Sequence, residues 1–570
     1  MSGRSAPAEA SPGAPRELTV RALVTGLVIG AVLTPTNVYS GLKIGWSFNL
    51  SITALLIAYA VWRPLTRRGT RPAWQLHESN IAQTAASSAA SIVSGGLVAP
   101  IPAWLLISGD TIALLPLTAW VFSVSFLGVW VAWFLRVPLL AAPRLRFPVG
   151  IATAETLRDT FAQGRVAMLR FRAMLASLVL AALTRLADAW WWTLPRFAPT
   201  PRLGELTFGL DPSLMMLGFG AIIGPRAGLS LALGALIAWG GLAPWLLASG
   251  RVTLPAAAPD GFQALVGWLV WPGVALMVAA SLAAIVRLPR GWRHGGWRRL
   301  ATRGPAAGPA YAGLLVAATL TVALEIALFD IGWLPALLAV PCAFVLAAVA
   351  ARVVGETGIA PIGAIGKVSQ LSFAVIAPAQ AVTNLMTANV AGGAAGQCAD
   401  LLNDLKAGQL VGASPARQVL AQCCGIAIGS LTGSVVFLLM IPAPAAQLLT
   451  PDWPAPAVAV WKSVAEALAA GLDSVPPAAR SAALIAPLAG VLLGLAERHG
   501  ALARWLPSGA TLGLAFVIPA STAFTLCAGA LLAWALLARA PRLAARYLVA
   551  CAAGLIAGES LFGVFLAIAG

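Results

Sequence analysis

The sequence predicts an all-α, polytopic membrane protein with about 14–16 transmembrane helices in two related halves, some of them broken or re-entrant. Of its 570 residues, 59% are hydrophobic and only 10% are charged, whereas soluble domains carry roughly a quarter charged residues. Each membrane crossing needs about 20 apolar residues, which sets the number of helices. In several places, polar segments with glycine or proline interrupt the apolar runs, and such interruptions are typical of transporters.

The distribution of charge predicts the domain organisation. The net charge is +17, and arginines cluster in short loops, including six between Arg287 and Arg303. The positive-inside rule places such loops in the cytoplasm. We therefore attribute the positive charge to the membrane topology and to contact with anionic lipids, and we expect no nucleic-acid partner. We expect a disordered cytoplasmic tail over residues 1–17, a first transmembrane half over 18–286, a basic cytoplasmic linker over 287–304 and a second transmembrane half over 305–570.

Targeting, cysteine and metal patterns give no sign of other chemistry. The first 17 residues lack the features of a signal peptide. The six cysteines contain no CxxC pair, so we predict buried thiols rather than a disulfide framework or a zinc site. We expect no cofactor and no resident metal.

Weak internal similarity supports two related halves. Residues 147–155 (FPVGIATAE) parallel 506–514 (LPSGATLGL), and residues 79–90 parallel 383–395. A motif of lysine and glycine opens each series, at Lys43 and at Lys367. The order is the same in both halves, which indicates a duplication with the site between the repeats.

The first polar segment is TPTNVYSGLKIGWSFN, residues 34–49. Pro35 cannot donate a backbone hydrogen bond, so we expect a break in the helix there. Irregular backbone at membrane depth must be buried in protein or face a watery cavity. Asn37, Tyr39 and Lys43 would then line the cavity, while the alternative is an extramembrane turn whose lysine reaches the interface.

The second segment, HESNIAQTAASSAASIVSGG, places small polar residues on one helical face. Asn80, Thr84 and Ser87 lead a stripe spaced by four and three residues, with Glu78 at its head and Gln83 beside it. Such a face forms either tight helix packing or a pore wall.

The third segment, RFPVGIATAETLRD, has proline and glycine before a short helix that carries Glu155 and Asp159. Carboxylates at membrane depth are costly, and a functional role is the default for one that is buried. The alternative is an interfacial helix with solvated charges.

The second half contains the richest polar stretch, residues 355–418, in which Asp400 and Asp404 share one helical face. The chain has 33 Arg but only four Lys, and three of these (Lys43, Lys367 and Lys406) lie in the polar segments. A lysine offers a compact charge that loses its proton readily on burial, whereas an arginine does not. With only four lysines, chance remains the alternative.

These segments resemble the oligopeptide transporter (OPT) family, which includes the yellow-stripe-like metal–chelate transporters. The resemblance rests on NVYSGLKIGW, RFPVGIATAE, GETGIAPIGAIGKVSQ, NLMTANVAGGAAGQCADLLNDLKAG, GASPARQ and WLPSGATLGLAFVIPAS. It covers roughly residues 20–535, and the length of the chain is similar to that of the prokaryotic branch.

The resemblance implies proton-coupled uptake of oligopeptides or metal–chelate (siderophore-like) complexes by a multi-pass protein of the plasma membrane, here a bacterial inner membrane. We expect the substrate to contact a set of lysine, amide and tyrosine side chains: Asn37, Tyr39, Lys43, Asn80, Gln83, Lys367, Gln370, Asn384 and Asn389. We expect proton coupling to use one or more carboxylates from the following set: Glu78, Glu155, Glu356, Asp400 and Asp404.

The sequence leaves other functions open. A channel, or a transporter of another small solute or ion, is the main alternative. An enzyme is not expected, because HExxH would need histidine where Ile81 stands. The sequence does not distinguish a monomer from a homodimer, since lipid-facing and subunit-facing surfaces are equally apolar.

Overall fold

The structure, a computed structural model, describes residues 16–47, 49–67, 72–142, 145–191, 198, 200–209, 211–252, 262–285, 307–357, 362–471, 476–496 and 506–569. The described part of the first half consists of these helices: α1 Val20–Ile44, α2 Ser51–Arg67, α3 Leu76–Ala90, α4 Pro100–Ser108, α5 Leu114–Leu140, α6 Pro148–Ala162, α7 Gly164–Trp190, α8 Pro201–Glu205, α9 Leu214–Ile223, α10 Pro225–Ala235, α11 Ala243–Ala248 and α12 Phe262–Ile285.

The second half continues in the same way. Its described helices are α13 Ala307–Phe329, α14 Trp333–Thr357, α15 Ile362–Ile376, α16 Ala381–Val411, α17 Pro415–Met440, α18 Pro444–Gln447, α19 Pro456–Ala470, α20 Pro477–Ala496, α21 Gly509–Leu514, α22 Ala520–Arg539 and α23 Pro541–Ala569.

The prediction of an all-α, polytopic membrane protein is confirmed. Within the described ranges, twelve helical segments are long and apolar enough to cross a membrane, and three shorter helices (α2, α9 and α15) are also apolar. The 31-residue α16 is buried along most of its length, as expected for a helix surrounded by other helices.

The predicted break at Pro35 is wrong in its position. Helix α1 begins at its N-cap Thr19, continues through Pro35 and ends at Ile44. Gly45 follows in the left-handed conformation (φ 74°), which glycine adopts at little cost. The irregular segment is therefore the link between α1 and α2.

The small residues of α3 serve helix packing. A Cβ on Gly26 of α1 would lie 2.5 Å from the carbonyl oxygen of Ala82, and a Cβ on Gly30 would lie 2.7 Å from Cβ of Ala89. A Cβ on Gly429 of α17 would lie equally close to the carbonyl oxygen of Ala89, at 2.5 Å. The glycines thus bring α1 and α17 into backbone contact with α3, as small residues do in membrane bundles.

Helix α3 is broken before α4. A 3₁₀ turn over Ser91–Gly95 follows α3, and Gly96 adopts a φ of 121°. The side-chain amide of Asn389 donates to the carbonyl oxygen of Gly95 at 3.1 Å. Asn389 therefore satisfies the backbone at the break, as a discontinuous membrane helix requires.

We call the end where α1 and α3 begin the inner end. His77 and the carbonyl oxygen of Val411 lie 3.1 Å apart there, so α16 finishes at this end and begins at the outer end. The predicted tail lies outside the described residues except for Arg16 and Glu17, and Glu17 is buried against Ser414 and Arg417 of the α17 start. The predicted linker over 287–304 also lies outside the described residues, and the division into two halves stays a prediction.

Candidate functional site

Helix α2 begins inside the bundle. The hydroxyl of Ser51 lies 3.0 Å from the hydroxyl of Ser87 on α3. Ser87 lies on the turn of α3 that packs against Gly30 of α1. Ile44 lies 14 residues beyond Gly30, or about 21 Å along the helix axis. The short link before Ser51, whose extended reach is roughly 20 Å, therefore returns the chain to the level of the middle of α1. This link is a re-entrant segment, and the N-terminus of α2 lies at membrane depth.

A buried carboxyl of α16 faces this N-terminus. Asp404 is 1% exposed, its Oδ1 lies 3.4 Å from the hydroxyl of Ser51, and the amide of Gln83 faces the same carboxyl group. The amide of Gln418 on α17 donates to the carbonyl oxygen of Asp404 at 2.8 Å and to the hydroxyl of Thr84 at 3.3 Å. We call these five residues the Asp404 cluster.

Asp400 lies one turn away, towards the outer end. The side chains of Ser91 and Asn49 face its carboxyl group, and all three residues are half-buried. Asn49 also accepts a hydrogen bond from the backbone of Ser51 at 2.9 Å. These partly accessible residues lie deep in the bundle, next to the Asp404 cluster.

Several buried polar atoms around the cluster lack a partner among the described residues: Asp404 Oδ2, Gln83 Oε1, Asn80 Nδ2, Gln418 Oε1 and both polar atoms of Gln422. Buried polar groups are usually hydrogen-bonded, and a concentration of exceptions indicates water or an ion. Asn80 and Gln83 pair only loosely with each other, at 3.4 Å. The predicted polar stripe of α3 thus faces a polar interior, while its alanines serve packing.

A second group of predicted residues lies between α15, α16 and α19. Lys367 is 4% exposed and donates to the carbonyl oxygen of Gly363, one turn earlier, at 3.1 Å. No carboxylate forms an ion pair with Lys367 in the described part of the chain. A lysine ammonium has three donors, so this buried cation holds unused capacity for an anionic group.

Amide side chains accompany Lys367. Gln370 donates to the carbonyl oxygen of Trp461 at 3.3 Å, and Asn384 donates to the carbonyl oxygen of Gln370. The oxygen atoms of both side-chain amides are buried and have no partner among the described residues. The ring of Trp461 rests against Gly366, where no Cβ fits. We call Lys367, Gln370, Asn384 and Trp461 the Lys367 group.

Tyr39 and Lys43 form a third group at the outer end. The ring of Tyr39 packs edge-on against Trp453, with centroids 5.4 Å apart. The ammonium of Lys43 lies 4.9 Å from the centroid of Trp453 and donates to the carbonyl oxygen of Asp452. Pro456 at the start of α19 packs on Gly45, and Trp461 lies about one and a half turns further along α19. Helix α19 therefore connects this group to the Lys367 group.

Two predicted substrate ligands make backbone contacts instead. Asn37 is 1% exposed, and its amide donates to the carbonyl oxygen of Ala90 at 2.9 Å, where α3 ends. Asn389 closes the break after Gly95, as described above. Both residues hold the broken part of α3 in place.

Glu78 has a structural environment that differs from its predicted role in proton coupling. Its carboxylate pairs with Arg21 at 2.6 Å, accepts from the hydroxyl of Thr19 at 2.7 Å and caps the start of α3 through the backbone of Gln75 at 3.1 Å. Arg21 also lies over Trp74, 5.4 Å from its ring centroid. An arginine–carboxylate pair with good geometry fixes the positions of the two helices that carry it, so we assign Glu78 to the joint between α1 and α3.

Two further carboxylates of the predicted proton-coupling set lie on the surface. Glu155 is exposed on α6. The side chain of Glu356 is 43% exposed and pairs with Arg352 one turn earlier on α14, at 3.3 Å. The faces of α6 and α14 that pack inward carry apolar residues, which leaves these charges outside.

Residues that were not among the predicted site residues complete these groups. Asn49, Ser51 and Gln418 contact the carboxyl-bearing part of α16, and Trp453 and Trp461 contact the lysine-bearing helices. An N-cap pattern at Asn49 and Ser51 could have indicated the start of α2. Within the described ranges, no three histidine, cysteine, aspartate or glutamate side chains come together to hold a metal ion.

Comparison with known proteins places this arrangement in a transporter family. The sequence model of the family described as OPT oligopeptide transporter protein matches residues 17–289 and 307–569. The chain is 25% identical to a probable metal-nicotianamine transporter of Oryza sativa subsp. japonica, over 96% of this chain and 88% of that protein. It is 25% identical to the iron-phytosiderophore transporter yellow stripe 1 of Zea mays, over 96% and 89%.

A putative oligopeptide transporter of Saccharomyces cerevisiae is 23% identical, over 74% of this chain and 78% of that protein. The family model covers both halves, including α3, α15 and α16, which carry the polar groups described above. The chain therefore belongs to the OPT oligopeptide transporter family, as the resemblance of its motifs indicated, and it is a multi-pass membrane transporter rather than an enzyme.

Proposed function

We propose that this protein takes up oligopeptides or metal–chelate complexes across the plasma membrane, driven by the inward proton gradient and by alternating access. The observation that carries the proposal is the Asp404 cluster, in which a carboxyl inside the bundle faces the N-terminus of a half-length helix. Discontinuous helices with a terminus at membrane depth are the usual framework for a solute or ion site in secondary transporters.

The Lys367 group supplies the substrate contacts in this proposal. Both peptides and chelates carry carboxylates, and the unused donors of Lys367 suit such an anion. The unpartnered oxygen atoms of Gln370 and Asn384 accept hydrogen bonds from amide or amine groups of the substrate. Lys43 and Tyr39 lie at the outer end, where they contact the substrate before it reaches the Lys367 group.

Asp404 carries the proton in this proposal, and Asp400 connects it to water. A carboxyl surrounded by hydroxyl and amide groups, with no cation beside it among the described residues, is neutral when enclosed and releases its proton when it is exposed to water. The relatives named for metal–nicotianamine, iron–phytosiderophore and oligopeptide transport set the two substrate classes to test.

Uptake into proteoliposomes tests the proposal. Purified protein is reconstituted, and accumulation of di- and tripeptides and of ferric and nickel chelates is measured with and without an inward proton gradient. We expect accumulation of one class above the level in liposomes without a gradient. Unitary conductance steps in electrical recordings would show a channel instead, and substrate equilibration that ignores the gradient would rule out proton coupling.

A further inference from the structure

Glu325 is a buried carboxyl in a helix that otherwise faces lipid. Helix α13 is apolar, and less than a quarter of its membrane-spanning stretch is buried. Glu325 itself is 0% exposed, and both of its carboxyl oxygens lack a hydrogen-bond partner in the part of the chain that the structure describes. A carboxylate in such surroundings is held neutral by a proton, because burying an uncompensated charge is costly.

The surroundings of Glu325 are aromatic. Phe329 lies one turn further along the same face of α13, and its ring packs edge-on against Trp104 and Trp120, with centroids 5.0 and 4.8 Å away. One turn before Glu325, Thr321 donates to the carbonyl oxygen of Ser123 on α5 at 3.3 Å. Glu325 thus lies on the face of α13 that packs against α5, between a hydrogen-bonded turn and an aromatic cluster.

Within the described ranges, no opposite charge lies at this level. The helices packed against α13 are α5, α14 and α16. Their charged residues lie further towards the inner end, roughly 20 Å or more away along the helix axes: Arg136, Arg352, Glu356, Asp400, Asp404 and Lys406. The nearest charged side chains in sequence and fold are Asp330, which follows α13, and Asp110, which precedes α5.

A polar recess opens beside Glu325 at the outer end. Its volume is about 450 Å³, and it is lined by Phe329 and Trp104 together with polar residues: Ser108, Asp110, Asp330, Gln380 and Thr383. Residues 326–329, directly adjoining Glu325 on α13, form part of its wall. Water in the recess is therefore separated from Glu325 by a single helical turn and the ring of Phe329.

We propose that Glu325 is a second proton-binding site of this transporter, loaded from the outer recess and distinct from Asp404. A proton passes from water in the recess to a carboxylate oxygen when Phe329 moves aside, and it returns to water when the carboxyl is exposed again. One O–H bond forms and breaks, and nothing else in the protein changes covalently. Only the transport experiment depends on the proposed proton-coupled transport, whereas the infrared experiment does not.

Infrared difference spectroscopy of the whole protein in lipid tests the proton itself, without transport. We expect Glu325→Gln to remove a C=O band of a protonated carboxyl that the parent shows at neutral pH. The matched control, Glu155→Gln, changes an exposed carboxylate of α6 and should leave that band in place. If Glu325→Gln removes no such band between pH 5 and pH 8, Glu325 is not a proton-binding site and the proposal is overturned.

Transport separates a coupling role from a structural one. We expect Glu325→Gln to lower proton-driven accumulation at least tenfold and to leave substrate exchange at equal pH within twofold of the parent, with an unchanged unfolding temperature. Accumulation equal to that of the parent, with the same dependence on pH, would overturn the proposal. If the parent itself ignores the proton gradient, the proposed coupling fails, while the infrared result still decides whether Glu325 holds a proton.

Discussion

Replacing Lys367 by methionine distinguishes an effect on substrate binding from an effect on folding. Methionine keeps the length and most of the volume of the side chain and removes the charge. In the free protein the ammonium is buried and has one hydrogen-bond acceptor among the described residues, the carbonyl oxygen of Gly363. Exchanging a buried, unpaired charge for a well-packed apolar side chain is neutral or stabilising, so we expect Lys367→Met to unfold at the same temperature as the parent or higher.

Substrate affinity should change in the opposite direction. A hydrogen bond between the ammonium and a substrate carboxylate contributes about 1.5–3 kcal/mol, which corresponds to about a 10- to 150-fold increase in Kd when it is lost. At a ligand concentration of about 100 Kd, binding stabilises the parent by about 2.7 kcal/mol. With Kd raised about 100-fold, the same concentration stabilises the variant by about 0.4 kcal/mol.

The assay is thermal unfolding of the purified protein with and without each member of a panel of peptides and ferric or nickel chelates, followed by titration of the ligand that stabilises it. Lys462→Met is the matched control, because Lys462 lies on α19, is partly exposed and pairs with Glu466 at 2.5 Å. We expect the control to bind ligand within about twofold of the parent, since surface ion pairs contribute little. A Lys367→Met protein that is folded and binds as tightly as the parent would refute the assignment of the Lys367 group to substrate.

Three further predictions follow from the packing and the charges. Asp404→Asn should abolish proton-driven accumulation while substrate exchange persists, because the amide cannot carry a proton. Uptake assays compare this variant with the control Asp159→Asn. Proton-driven accumulation by Asp404→Asn would contradict the prediction. Glu78→Gln should lower the free energy of unfolding by about 1–3 kcal/mol, since it leaves Arg21 without its carboxylate. Denaturation measures this loss, and the Kd of the ligand should not change. A lower ligand affinity of the variant would instead assign Glu78 to the substrate site. Gly26→Ala should cost about 1–3 kcal/mol through overpacking between α1 and α3, and unchanged thermal unfolding would disprove the close approach.

Much of the fold was predictable because apolar runs show directly where helices lie. The charged residues of the proposed sites were also visible, since Lys367 and Asp404 lie in the polar stretch over residues 355–418. Their partners were not predictable, because Trp461 lies 91 residues from Gln370 and Ser51 lies 353 residues from Asp404. Pairing at such separations depends on how helices pack, which no local pattern records.

Three of the predicted proton-coupling carboxylates lie away from the Asp404 cluster, and their positions were not predictable from the sequence. Glu78 and Glu356 lie near helix ends and Glu155 lies in the middle of the short helix α6, and the sequence does not show whether such a side chain points inward, caps a helix or faces water. Glu325 was not among the predicted residues, because it is a single acid in an otherwise apolar helix. A lone carboxyl in an apolar span is a stronger indicator of function than a carboxyl among other polar residues, because nothing nearby compensates its cost.

The positions of these groups restrict how coupling can work. Asn384 and Asp404 lie 20 residues apart on one continuous helix, α16, which separates them by about 30 Å. A substrate group held by Asn384 is therefore too far from Asp404 to contact its proton directly. The proposed proton coupling would then require that proton and substrate favour different positions of the same elements. Helix α16 is suited to this, because it contacts the Lys367 group near its outer end and the start of α2 near its inner end. A movement of α16 that changes one contact must change the other.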